Sequence, residues 1–222
     1  MKLKQYIGRH RTNLVTYGVV ILGFVIMQML SASHMLSSSV EGFLVPICAY
    51  VVLAVSLNLV VGISGELSLG HAGFMGVGAF TGIIVAALLK TVIASKVLLL
   101  IVAIVCGGVM AGLFGVVIGL PVMRLRGDYL AIVTLAFGEI LKNLINNMYV
   151  GSDANGVHFV IGTEKPLLAE GGSMVINGPM GATGVAKLAT FPIGFALILV
   201  TLFVVLNLIN SKEGRAIKAV RD

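Results

Sequence analysis

The chain has 222 residues, 58% of them hydrophobic and 11% charged, with a mean hydropathy of +1.08. A soluble domain carries about 25% charged residues, so a small water-soluble enzyme, a disordered chain and a nucleic-acid binder are excluded, and lipid is the solvent this composition needs. The net charge of +6, from 15 Lys and Arg against 9 Asp and Glu, punctuates apolar runs instead of forming a wet basic patch, and reads as membrane topology.

Apolar stretches of about 20 residues cross a hydrocarbon core roughly 30 Å thick as helices. Six are predicted, at 14–30, 43–61, 72–89, 97–120, 129–148 and 191–209. Strands would leave backbone groups unsatisfied in lipid, and the alternation of a β-barrel is missing. The expected fold is an all-α polytopic membrane helix bundle. It forms a single domain: a leader at 1–12, core helices over 13–148, an external loop over 149–190, a helix at 191–210 and a basic tail at 211–222.

The first span has a basic start and a cleavage-like Ser31-Ala32-Ser33. Its apolar core is longer than the 7–15 residues of a signal peptide, so it is expected to be retained. Between the second and third spans, residues 62–73 place four glycines with Ser64, Glu66, Ser68 and His71 inside an otherwise apolar run. Two readings stay open. One is a helix broken in the membrane, with Glu66, Ser68 and His71 beside a substrate path. The other is a short cytoplasmic turn in which Ser68 caps the next helix. His71 has no second His, Cys or carboxylate at ligand spacing, so no metal site is expected.

Gly70, Gly73, Gly76, Gly78 and Gly82 crowd the third span. Along the fourth, Gly108, Gly112, Gly115 and Gly119 recur at three- and four-residue steps on one helical side, the pattern of a helix-packing face. In the fifth, Glu139 lies about 15 Å deep at 1.5 Å per residue, and Lys142 follows at i,i+3 on the same face. This is either a polar pathway element or a buried pair that fixes packing. The long polar stretch 150–190 either docks an external partner or connects two helices. Cys48 and Cys106 both sit in apolar spans and form no disulfide framework.

Ten of the fifteen bases fall in the leader, in Arg124 and Arg126, and in the tail with Lys212, Arg215, Lys218 and Arg221. With six crossings these segments share one side, which puts both termini in the cytoplasm. No phosphate-binding loop and no nucleophile–base set is present. Energy for transport must therefore come from an ion gradient or from another subunit.

Four blocks in order resemble the permeases of branched-chain amino acid ABC importers, and the LivM-like branch in particular. They are Gly65-Glu66-Leu67-Ser68-Leu69-Gly70-His71-Ala72-Gly73-Phe74, the run from Leu125 through Arg126-Gly127-Asp128-Tyr129 to Phe137-Gly138-Glu139-Ile140, the segment Asn177-Gly178-Pro179-Met180-Gly181, and the tail from Gly214-Arg215-Ala216 to Asp222. The resemblance implies a transport subunit and not an enzyme, in a bacterial inner membrane. It implies a second homologous permease, two ATP-binding subunits that use the ATP, and an extracytoplasmic binding protein delivering branched-chain amino acids. No cofactor resides in this chain, and no nucleic acid is a partner. On this resemblance Gly214, Arg215 and Ala216 begin the ATPase contact, while Glu66, Ser68, His71 and Glu139 line the path. Family members continue past this tail into further helices, so a C-terminally truncated chain is expected. The alternative from another class is a gradient-driven secondary transporter of a small polar solute, with Glu139 coupling to protons or sodium; a membrane scaffold assembled through the glycine faces is a third.

Overall fold

Inside hydrocarbon a backbone N–H finds no acceptor except another residue's carbonyl, and the apolar runs of this chain accordingly close on themselves as helices. A computed structural model describes residues 2–33, 35–90, 92–122, 124–125, 127–153, 156–162, 166, 168, 172–183 and 188–221. Five helical stretches are long and apolar enough to cross a membrane: Leu14–Ala32, Ser38–Ser64, His71–Leu89, Lys96–Val122 and Phe191–Asn210. Their apolar side chains face outward, with Leu14 74% and Val117 69% exposed, the burial pattern of a protein whose solvent is lipid.

The chain divides into two compact units. The first holds α1 (Lys2–Ala32), α2 (Ser38–Asn58), a π-helical turn (Leu59–Ser64), α6 (Phe191–Asn210) and α7 (Lys212–Arg221). Here α2 packs on α6 around buried Cys48, Ile198 and Leu202. Gly194 permits that approach, since a side chain there would meet the Cys48 Cβ at 2.9 Å. Phe24 of α1 stacks on Phe195 at 4.0 Å and on Phe191 at 5.2 Å between ring centroids. The π-turn carries the end of α2 and packs against both α6 and α7. Such wide turns are rare and cluster at functional sites.

The second unit, Gly65–Leu188, is built on α3 (His71–Leu89), α4 (Lys96–Val122) and α5 (Asp128–Asn146). Ala86, Leu99 and Ala103 hold α3 on α4 at one end. Ile118, Val122 and Leu130, with Phe74 and Phe137 near them, form a second cluster.

Two expectations change. Residues 149–190 are not a plain loop: β1 (Met148–Asp153), β2 (Gly156–Ile161) and β3 (Ser173–Asn177) form an antiparallel sheet in the order β2-β1-β3. Val150 and Ile176 are fully buried in it and pack against Phe80, Ile83 and Ile84 of α3. Val150 and Ile176 are direct cross-strand partners, and Met148 and Val175 complete the buried cluster beside a register shift at Val150/Gly151. Second, the fifth predicted span folds as α5 but ends at Asn146, because Met148 opens the sheet, and α5 is not among the five strongly apolar helices. Its polar residues Glu139, Lys142, Asn143 and Asn146 recur at i, i+3, i+4 and i+7, which places them on one face. At 1.5 Å per residue its 19 residues span about 28 Å, so it can cross a bilayer only with that face covered or wetted.

Candidate functional site

The polar segment after the π-turn does break the helix. Residues 65–70 are irregular, with Gly65 in the left-handed region at φ 75°, and α3 begins at His71. The broken segment is tied to α5 by one side chain: the Leu69 N–H donates to Thr134 Oγ1 at 3.1 Å, and that hydroxyl donates to the Ala131 carbonyl at 3.0 Å. The Leu69 backbone donor, outside any helix, thus finds its partner on the neighbouring helix. Beside this bond Gly70 lies directly against the Thr134 carbonyl, and a side chain on Gly73 would stand 3.3 Å from the Cα of Gly138.

From this crossing α3 and α5 diverge around a cleft of about 370 Å³, in the range of pockets for small ligands. Leu69, Gly73, Gly76 and Phe80 form one wall and Leu135, Gly138 and Ile145 the other, while Gly178, Pro179 and Gly181 close the floor. The floor depends on Gly178. Its φ is +54°, and any side chain would run into the Tyr149 ring at 2.7 Å and the Asn146 carbonyl at 2.9 Å.

Among the described residues, the charge lining the cleft is one pair. Lys142 Nζ stands 3.3 Å from both Glu139 oxygens, on the i,i+3 spacing expected for one face. Both residues line the cleft, and their side chains remain 64% and 55% exposed. The pair is therefore open at the surface of this chain and not a bridge sealed inside it, and exposed pairs add little stability.

Of the predicted pathway residues, Glu139 lines this cleft. Glu66 and Ser68 lie on the irregular segment and His71 at the first position of α3; none of the three is a lining residue. Among the described residues no His, Cys, Asp or Glu cluster could hold a metal, and Cys48 and Cys106 are free thiols. The predicted packing face is not used within this chain. A side chain added at Gly108, Gly112, Gly115 or Gly119 would meet nothing within 4 Å, whereas Gly107 lies against the Gly78 carbonyl. Periodicity identifies a small-residue face but not which face a neighbour chooses. Thr134 and the Gly178–Gly181 floor fall in the blocks that carry the resemblance but had no site role in the sequence reading, and Asn146 was marked only by the polar stripe along α5.

The tail residues Gly214, Arg215 and Ala216 lie in α7. Ser211 precedes that helix in extended backbone; its hydroxyl accepts from the Gly214 N–H at 3.1 Å and donates to the Leu208 carbonyl at 2.7 Å. Gly214 lies against the Leu208 and Ile209 carbonyls, which admit no side chain. The Glu213 carboxyl is held below the usual carboxylate value, first by its own backbone N–H, then by the Ser211 side chain and by Arg215. A lowered folded value contributes stability above the ordinary carboxylate range and loses it as pH falls through the lowered value. Ser211→Ala is expected to cost α7 about 1 kcal/mol. Amide exchange should show the α7 amides losing protection at neutral pH in this variant, and in the parent chain only under acid; unchanged protection in the variant removes the capping role.

The family described as "Branched-chain amino acid transport system / permease component" matches residues 39–222. Among curated relatives, the high-affinity branched-chain amino acid transport system permease protein LivM of Escherichia coli (strain K12) is 36% identical, covering 78% of this chain and 41% of the relative. The protein of the same description from Salmonella typhimurium (strain LT2) is 34% identical with the same coverage. The chain thus spans about two-fifths of the length of these relatives. No solved structure matches it.

Proposed function

Because this chain belongs to the branched-chain amino acid transport system permease family, we propose that it is a permease subunit of an ABC-type importer that carries branched-chain amino acids across a bacterial inner membrane. The match over residues 39–222 carries the reading. The five apolar helices and the helix break beside a cleft that carries a charged pair support it physically, because transporters often place irregular backbone beside the substrate path. Glu66, Ser68 and His71 supply polar groups on the broken segment, and Glu139 supplies one from α5. The chain is a transport subunit and not an enzyme; ATP is used by two partner subunits, a second permease completes the path, and an external binding protein delivers the amino acid. Both termini lie in the cytoplasm. Gly214, Arg215 and Ala216 begin the ATPase contact, and α7 packs on the π-turn that leads along the chain into the broken segment.

The test is leucine uptake into sealed vesicles holding the permease with its companion permease, ATPase subunits and binding protein. Uptake is expected to require ATP on the ATPase side and to cease without those subunits. Uptake driven by a proton or sodium gradient in their absence overturns the reading in favour of a secondary transporter.

A further inference from the structure

We infer that the cleft between α3 and α5 is a binding site for a free α-amino acid with an aliphatic side chain, and that Glu139 and Lys142 are its zwitterion clamp. The identity of the ligand rests on the transport reading above; the clamp rests on the cleft.

Three observations converge on that ligand class. The cleft's charge is one carboxylate and one ammonium 3.3 Å apart, so it is locally neutral and presents both signs side by side. A free amino acid offers the mirror arrangement, an ammonium and a carboxylate on a single carbon. A sugar or polyol would find few hydroxyl partners here, and a simple anion or cation would meet one attractive and one repulsive charge. The remaining walls are apolar or bare backbone, with Leu69, Phe80, Leu135, Ile145 and Pro179 among them. They suit a branched hydrocarbon and offer little to a polar side chain. The size agrees, because about 370 Å³ sits at the small-ligand end of known pockets.

The exchange is also energetically balanced. The pair is more than half exposed, so separating its partners costs little. An arriving amino acid replaces one hydrated ion pair with two charge-assisted hydrogen bonds, ammonium to Glu139 and carboxylate to Lys142, and such bonds are about twice as strong as neutral ones. Burying the aliphatic side chain against the walls adds the hydrophobic contribution. The clamp opens and recloses without stranding a charge, which suits a site that must release what it binds.

The experiment uses the permease in nanodiscs and an amine-reactive reagent read out at Lys142 by peptide mass spectrometry. L-leucine is expected to slow Lys142 modification several-fold relative to Lys212 of the same sample, which corrects for reagent consumed by the ligand's own amine. Equal concentrations of 3-methylbutylamine, which lacks the carboxylate, and of 4-methylpentanoate, which lacks the ammonium, are expected to protect much less. Glu139→Gln should weaken L-leucine protection by about tenfold, the loss expected when one charged hydrogen bond becomes neutral, and should strengthen protection by 4-methylpentanoate, whose carboxylate then meets Lys142 without the Glu139 charge beside it. Absence of protection by any amino acid on the unsubstituted protein overturns the clamp, as does Glu139→Gln protecting like the parent. The parent measurement needs no variant, so misfolding of Glu139→Gln leaves it decisive. Protection by amino acids without ATP-dependent uptake retains the clamp and rejects the importer. Uptake with no protection at Lys142 retains the importer and rejects the clamp.

Discussion

A Gly70→Ala chain will be strongly destabilised, while Gly138→Ala, at the same helix crossing, will fold normally; on the importer function proposed above, leucine uptake should be lost in the first and kept in the second. At position 70 the new methyl would be driven into the Thr134 backbone carbonyl. Neither side can give way, because the Thr134 side chain is already engaged with Leu69 N–H at 3.1 Å and with the Ala131 carbonyl at 3.0 Å. Gly70 itself has φ −89°, a value any residue adopts, so the expected loss is steric and not conformational. Overpacking against backbone should cost about 3 kcal/mol, at the upper end for added methylenes. Separating the helices to relieve it would also widen the cleft whose walls they form. Gly138 meets the same crossing from the other side, yet its added methyl stands 3.4 Å from the Gly70 Cα, ordinary van der Waals contact. In mid-helix an alanine there gains up to about 1 kcal/mol in helix propensity. Unfolding in increasing detergent and uptake in vesicles would check both variants. Equal behaviour of the pair would show that the close approach at Gly70 is not a constraint on the folded protein.

That asymmetry marks the boundary of what the sequence discloses. Hydropathy locates the spans because the solvent decides them: twenty apolar residues have one low-energy arrangement in hydrocarbon. The helix break was legible too, since four glycines with Ser64, Glu66, Ser68 and His71 cannot continue an apolar helix without reason. The π-turn at Leu59–Ser64 was not, because its residues are as apolar as those of an α-helix and only packing chooses the wider turn. The sheet escaped because its strands are short and interrupted by glycine. Its signal was the alternation of Val157, Phe159 and Ile161, too brief to stand against a glycine-rich background. In the candidate site, Glu139 and Lys142 were legible as a pair from spacing alone. Their cleft was not, since it depends on Gly178 and Pro179 arriving from beyond two strands, a contact that spacing does not encode.

The glycines of α4 separate local pattern from tertiary choice most sharply. Gly107→Ala is expected to destabilise the chain by about 2–3 kcal/mol, because the methyl would enter the space of the Gly78 carbonyl. Gly78→Ala, on the opposite helix, places its methyl 3.4 Å from the Gly107 carbonyl and 3.6 Å from the Ala111 Cβ, and should be tolerated. Gly112→Ala and Gly115→Ala meet open space and should leave this chain's own unfolding unchanged or slightly improved through helix propensity. The reason lies in the geometry of the crossing. Two helices in lipid gain no hydrophobic energy by touching, so they associate where dispersion contact is closest, and the closest contact is backbone on backbone. With a second contact a turn away, where a methyl on Gly82 would stand 3.1 Å from the Ala103 carbonyl, the tightest such point pairs one position of each helix. On α4 it is Gly107, about 100° around the helix from Gly108 at 3.6 residues per turn, and the regular Gly108–Gly119 row is turned away from α3. Unfolding of the four single variants in one detergent series distinguishes the two faces. If Gly112→Ala and Gly115→Ala lose as much stability as Gly107→Ala, the row faces a neighbour after all and the α3–α4 crossing described here is wrong.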